Sequence, residues 1–214
     1  MFVRHPRARR YVLRVQPDGV VRVTIPRAGT KKEGEVFLRR HLGWVERQRA
    51  ALQRSGATGP LENGDTVLLG GVATPVSVVR TASRLTVRVA EHSAVGAHPT
   101  TARVLAVRAL RAFAQRDLPP RLMALAKAHA LSPTRVTVRN QKGRWGSCSA
   151  AGSISLNWRL VQMPSEVRDY VLLHELMHMR EPNHSRRFWR HVARVCPWHL
   201  QARRWLARMG KTLL

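Results

Sequence analysis

Residues 11–25 alternate apolar and polar on either side of Pro17-Asp18-Gly19. That is the period-two pattern of two strands joined by a tight turn. Residues 33–54 change period: Val36, Phe37, Leu42, Val45 and Leu52 fall roughly at helical spacing. The turn-rich stretch SGATGPLENGD (55–65) separates that helix from residues 66–90, which alternate again. They predict two or three short strands, with turns near Gly70-Gly71 and Ala82-Ser83. EHSAVGAHP (91–99) reads as a weak linker. Helices are expected over 100–118 and 120–131, punctuated by Pro119-Pro120. RVTVR (135–139) reads as a strand, and NQKGRWGSCSAAG (140–152) as a loop or wide turn. SISLNWRL (153–160) alternates, with Ile154, Leu156 and Trp158 on one face and Ser155, Asn157 and Arg159 on the other. Pro164 suits the first turn of a helix that runs to about Arg180, and further helices are expected over 184–195 and 197–209. The fold class expected is α+β. A β-rich region with one helix spans 1–93, and a second region spans 100–214.

The chain has 214 residues, enough for one large domain or two small ones without disulfide staples. Its two cysteines, Cys148 and Cys196, lie far apart and form no CxxC pair. They indicate neither a disulfide framework nor a cysteine-rich zinc site, so a reducing, cytoplasmic setting is expected. No apolar run follows the basic start MFVRHPRARR, and no stretch approaches the length of a membrane span. Neither a secretory signal nor a membrane partner is expected. The net charge of +26 rests on 33 arginines and only five lysines. Residues 1–99 hold 17 basic and 7 acidic residues, and residues 100–214 hold 21 and 5. Such a field attracts nucleic acid, but it is spread along the chain instead of concentrated on one element.

The stretch with chemical content is HELMHMREPNH, His174 to His184. On a helix, residues four apart lie about 40° apart in azimuth and one turn apart in height. His174 and His178 can therefore point two imidazoles at one ion. Glu175 sits about 100° round the helix, where its carboxylate reaches a metal-held water instead of the metal itself. A catalytic zinc needs a third protein ligand and an open position. Pro182 disfavours helix at Glu181, so the helix should end near Arg180 or Glu181 and the chain can bring His184 back. A short return fixes His184 cheaply. Glu181, Asp169, His191 and His199 are the other candidates for that third position.

RWGSCSAAGSISLNWRL (144–160) and PSEVRDYVLLHELMHMREPNHSRRFW (164–189) resemble the YgjP-like metal-dependent hydrolases, a zincin-type metallopeptidase group similar to the SprT and WLM proteases. The motifs RWGSC, LNWRL, DYVxxHELxH and NHSxxFW occur in order, and the match is close over about 135–209. The first half resembles the family in outline only. The resemblance implies a zincin-like domain over 100–214, with Zn²⁺ on His174, His178 and His184 and Glu175 as general base. Met177 stands where the family often has a cysteine. By analogy with zincins, SISLNW would be the edge strand that pairs with an extended substrate.

Around this stretch, Asn157 and Arg159 are candidates to bind substrate by polarising the scissile carbonyl, although both could equally cap loops or face solvent. Asp169 could orient a metal-bound histidine, but its place on the helix suits the positive N-terminal end better. Trp145 to Cys148 could form a shaped loop near the cleft, although a tight turn with a buried indole is the favoured reading. Phe188, Trp189, Trp198 and Trp205 fall at helical spacing and read as core. The leading functional expectation is a zinc-dependent protease acting on protein or peptide. The alternatives are a protease recruited to nucleic acid through the basic surface, and a non-catalytic, zinc-stabilised basic binding module.

Overall fold

A computed structural model describes residues 1–15, 20–54, 60–97 and 99–214, with only the backbone of 51–54. The chain forms two compact units, Met1–Gly59 and Pro60–Leu214.

In the first unit, strands β1 (Phe2–Arg4), β2 (Val12–Val15) and β3 (Val21–Ile25) form a sheet of order β1-β3-β2. The expected hairpin is present as the antiparallel β2–β3 pair, although its Pro17-Asp18-Gly19 turn lies outside the described residues. Two helices, α1 (Lys31–Arg40) and α2 (Leu42–Arg54), stand where one was expected. Thr30 starts α1 with a capping box: its hydroxyl accepts from the Glu33 N–H, and the Glu33 carboxylate accepts from the Thr30 N–H. The Tyr11 hydroxyl donates to the same carboxylate at 2.7 Å.

The second unit opens with an antiparallel meander of β4 (Thr66–Leu69), β5 (Val72–Arg80), β6 (Arg84–Val89) and β7 (His92–Ala97). The expected linker at 91–99 is thus largely strand. Ser93, Ala94, Gly96 and Ala97 give little apolar period, and it is the ladder to β6 that holds them extended. The break between units accordingly falls at 59/60, because the meander packs on the following helix α3 (Ala102–Ala128) and shares its core.

α3 runs through Pro119 and Pro120, where two helices were expected. An interior proline costs about 3 kcal/mol. Here Ala114, Leu118, Leu122 and Ala126 form one uninterrupted face with no exposure. Burying an aliphatic side chain returns about 1.5–3 kcal/mol, so packing overrides the local preference.

A second sheet follows: β8 (Arg135–Arg139), β9 (Gly146–Cys148) and β10 (Ser153–Asn157), in the order β8-β10-β9. β10 pairs in parallel with β8 and antiparallel with β9. SISLNW is therefore the central strand and not the expected edge. A pattern of alternation reports which face is buried but is silent on which neighbours lie to either side. β9 lies within the stretch read as a loop. Ile154, Leu156 and Trp158 are fully buried, as their alternation predicts.

A 3₁₀ turn (Trp158–Gln162) leads into α4 (Ser165–Met177), the helix that carries the histidines. The β4–β5 hairpin docks on that turn. Gly70 and Gly71, both at positive φ, donate their N–H groups to the carbonyls of Val161 and Gln162 at 2.8 and 3.0 Å. A Cβ on Gly71 would lie 2.6 Å from the Pro164 ring, so glycine there sets where α4 begins. α5 (Arg186–Val195) and α6 (His199–Met209) complete the unit. Among the described residues, no helix is long and apolar enough to cross a membrane.

Candidate metal centre

Tyr170 and His174 on α4 and His178 at its C-cap recur every four residues along one face and line a cleft of about 480 Å³. The helix is fixed from behind. Arg121 of α3 donates two hydrogen bonds to the Asp169 carboxylate, one of them at 3.1 Å. Arg168 donates to Asp117 at 3.2 Å. Asp169 is thus committed to an ion pair between helices and orients α4 as a whole instead of an imidazole.

α4 ends at Met177, a few residues before the expected stop. The N–H groups of Arg180 and Glu181 both donate to the Met177 carbonyl at 3.0 Å, turning the chain before Pro182. The Ser185 N–H then donates to the Asn183 carbonyl at 2.8 Å, and the Ser185 hydroxyl caps α5 by accepting from Phe188. This return brings His184 Nε2 to 3.0 Å from His174 Nε2. Among the described residues, the cluster able to hold a metal is His174, His178 and His184, whose ligand atoms lie within 4.8 Å of one another. The other candidates for the third position, His191 among them, fall outside that cluster. Glu181 faces Arg187 at 3.8 Å, Asp169 faces Arg121, and His199 Nδ1 lies 3.1 Å from the Cys196 carbonyl.

The donor set fits a divalent metal of the zinc type. His178 Nδ1 lies 3.2 Å from the Glu181 carbonyl. An N–H donated there leaves the lone pair on Nε2. Two nitrogens at tetrahedral positions around one zinc stand about 3.4 Å apart, near the 3.0 Å seen between His174 and His184. Buried Phe188 packs under all three imidazoles: stacked on His178 at 4.5 Å, and edge-on to His174 and His184 at 4.9 and 4.8 Å. Burial, then the neighbouring imidazoles and Arg203, push the His174 pKa down to about 3. Burial lowers His178 as well. Both are therefore neutral at pH 7, the form that binds metal.

Glu175 lies against β9 and is 6% exposed. Burial raises its pKa to about 7, with Arg144 opposing the shift. Tyr170 is pushed up to about 12 by burial, so its phenol keeps its proton. Cys148, on the cleft wall, is raised by burial and by Glu175. Neither cysteine is in a disulfide.

Asn157 and Arg159 do not line the cleft. The Asn157 amide donates to the carbonyls of Gln141 and Arg144 at 2.8 and 3.1 Å, and its oxygen accepts from the Arg159 N–H. Arg159 donates to Asn140 at 2.7 Å and to the Leu214 carbonyl, and lies over the Trp158 ring. These two residues hold the loop before β9, the capping role that stood beside substrate contact as their other reading. Sequence reasoning missed Tyr170 and Arg144 as cleft residues, and it favoured a structural turn over a cleft loop for Trp145 to Cys148, all four of which line the cleft. Tyr170 was within reach of it, since it stands one turn before His174 on the same face.

The family model for the YgjP-like metallopeptidase domain matches residues 9–209. Among solved structures, the chain is similar to the metallopeptidase zymogen of Pyrococcus abyssi abylysin, with 24% identity and a TM-score of 0.38. That match covers 44% of this chain and 95% of the other. No curated protein matches. The family match spans both units and nearly the whole length, and the chain belongs to the YgjP-like family of metallopeptidases.

Proposed function

We propose that this metal-dependent peptidase is a zinc enzyme in which His174, His178 and His184 hold the ion and Glu175 is the general base. The observation that carries this is the convergence of three imidazoles at one cleft, with a buried carboxylate on the same helix. Bound zinc lowers the pKa of a water to about 7 and polarises a carbonyl. Glu175 accepts the proton of the attacking water at its carboxylate and returns it to the leaving amine. A pKa near 7 suits a group that must first take and then give a proton at neutral pH. The Tyr170 phenol, protonated throughout, is a donor on the same wall.

The substrate is a protein or peptide. Sheet order leaves one side of β9 without a strand partner among the described residues, and all three β9 residues line the cleft. An extended peptide pairs with β9 through backbone N–H and C=O groups. β9 thereby takes the role the sequence assigned to SISLNW.

Glu175→Gln tests the assignment. Zinc per chain, measured by elemental mass spectrometry, should stay near that of wild type, while peptide turnover falls by about 10²–10⁴. Turnover at the wild-type rate would rule out Glu175 as base, and no turnover in either protein, with zinc bound in both, would leave a zinc-stabilised binding module.

A further inference from the structure

The RWGSC motif contains a glycine, Gly146, whose missing side chain the proposed mechanism leaves unexplained. Gly146 is buried in β9, and the Glu175 side chain comes up against its Cα. A Cβ on Gly146 would lie 2.6 Å from both Cγ and Oε1 of Glu175, and 2.7 Å from Cδ. Non-bonded carbon contacts are optimal at about 3.5–4.0 Å, so even one methyl cannot be accommodated as the groups stand. Backbone conformation does not demand glycine here, since Gly146 is not among the residues at positive φ. The demand comes first from Glu175, which supplies all three of the nearest atoms.

From this we infer that Gly146 is a positioning residue, whose missing side chain sets where the Glu175 carboxylate stands in the cleft. The inference rests on the reading of Glu175 as the base. β9 has little freedom to back away. Gly146 is registered with Leu156 of the central strand, the Asn157 N–H donates to the neighbouring Trp145 carbonyl at 2.8 Å, and Asn157 also binds the Arg144 carbonyl. Trp145 is packed against Gly210 so closely that a Cβ there would lie 2.7 Å from the indole. The carboxylate is the mobile end of a flexible side chain, so it is the group a methyl would displace. The fold would yield little, and the base would lose its place. A misplacement of about 1 Å at a reacting group costs on the order of 100-fold in rate.

Four proteins test this: wild type, Gly146→Ala, Glu175→Ala and the double variant. Gly146→Ala should keep zinc near the wild-type content and KM within about twofold, while kcat falls by about 100-fold. The thermal midpoint gives a readout independent of turnover. Gly146→Ala should lower it in the wild-type background and leave it unchanged in the Glu175→Ala background, where the obstructing side chain is gone. If Gly146→Ala alone fails to fold, a folded double variant supports the contact, and failure of both overturns it. A kcat within twofold of wild type, or an equal thermal shift in both backgrounds, also overturns the inference. Failure of the underlying reading shows separately, as turnover that survives Glu175→Gln.

Discussion

Two histidines of the triad stand on a helix and the third stands on a turn, and these halves of the site are built in opposite ways. α4 is buried along most of its length, tied to α3 through Asp169 and started against a docked hairpin. His174 and His178 inherit that rigidity. From Pro182 to Ser185 the chain is exposed, and short backbone hydrogen bonds on either side define its path. His184 therefore owes its position to local chain geometry, and the helical pair to the core. On the proposed assignment, the cost of a metal site is divided between core and turn. The core absorbs the burial that keeps His174 neutral, and the turn supplies the last nitrogen with little added burial.

The largest effect expected from breaking this arrangement is loss of metal. Structural zinc sites bind with about 10–16 kcal/mol over four ligands, so one ligand contributes about 3 kcal/mol, or about 100-fold in affinity. His184→Ala and His178→Ala should each lose that much in a zinc-binding titration. His178→Ala should also lower the melting point of the zinc-free protein by more than His184→Ala does, because its half-buried ring stacks on buried Phe188, whereas exposed His184 meets that ring edge-on. Equal melting points for the two variants would erase the distinction between the halves.

A smaller effect comes from Glu175 in the metal-free protein. Its folded pKa of about 7 lies above the ordinary 4.5. Its contribution to stability is therefore complete below about pH 4.5 and is lost as pH rises through 7. Glu175→Gln removes that ionisation. With metal chelated, the variant should be more stable than wild type at pH 8 by about 1–3 kcal/mol and close to it at pH 4.5. His174 shifts the other way, its contribution being present above 6.5 and lost towards pH 3, but it does so in both proteins. Denaturant melts at the two pH values check the sign, and a variant less stable than wild type at pH 8 would contradict it.

The smallest effect belongs to the turn. Pro182→Gly frees the unfolded chain and should cost about 0.4–1 kcal/mol. Zinc affinity should weaken by a few-fold, since His184 must then be ordered when metal binds. An unchanged affinity would place the restraint on His184 in its contacts with Phe188 and Trp189 instead of in the turn.

Much of the site was legible in the sequence because its spacing is helical. His174, Glu175 and His178 follow from the pitch of one helix, and the return of His184 follows from Pro182. Which of their two readings Asn157 and Arg159 take, here capping the loop before β9, was not legible locally because that loop is placed by tertiary structure. SISLNW was misread as an edge for the same reason. Small residues hid β7, and paired prolines disguised a continuous α3.

Local pattern was enough for the periods of the chain, the buried face Ile154-Leu156-Trp158, and an HExxH motif on a helix that had to end near Pro182. These depend on contacts a few residues apart, where backbone geometry leaves few choices. Tertiary structure alone decided that β9 is the strand beside the cleft, that Asp169 serves Arg121, and that Gly146 meets Glu175. Each joins residues far apart in the chain, and close packing, which no local pattern encodes, selects them.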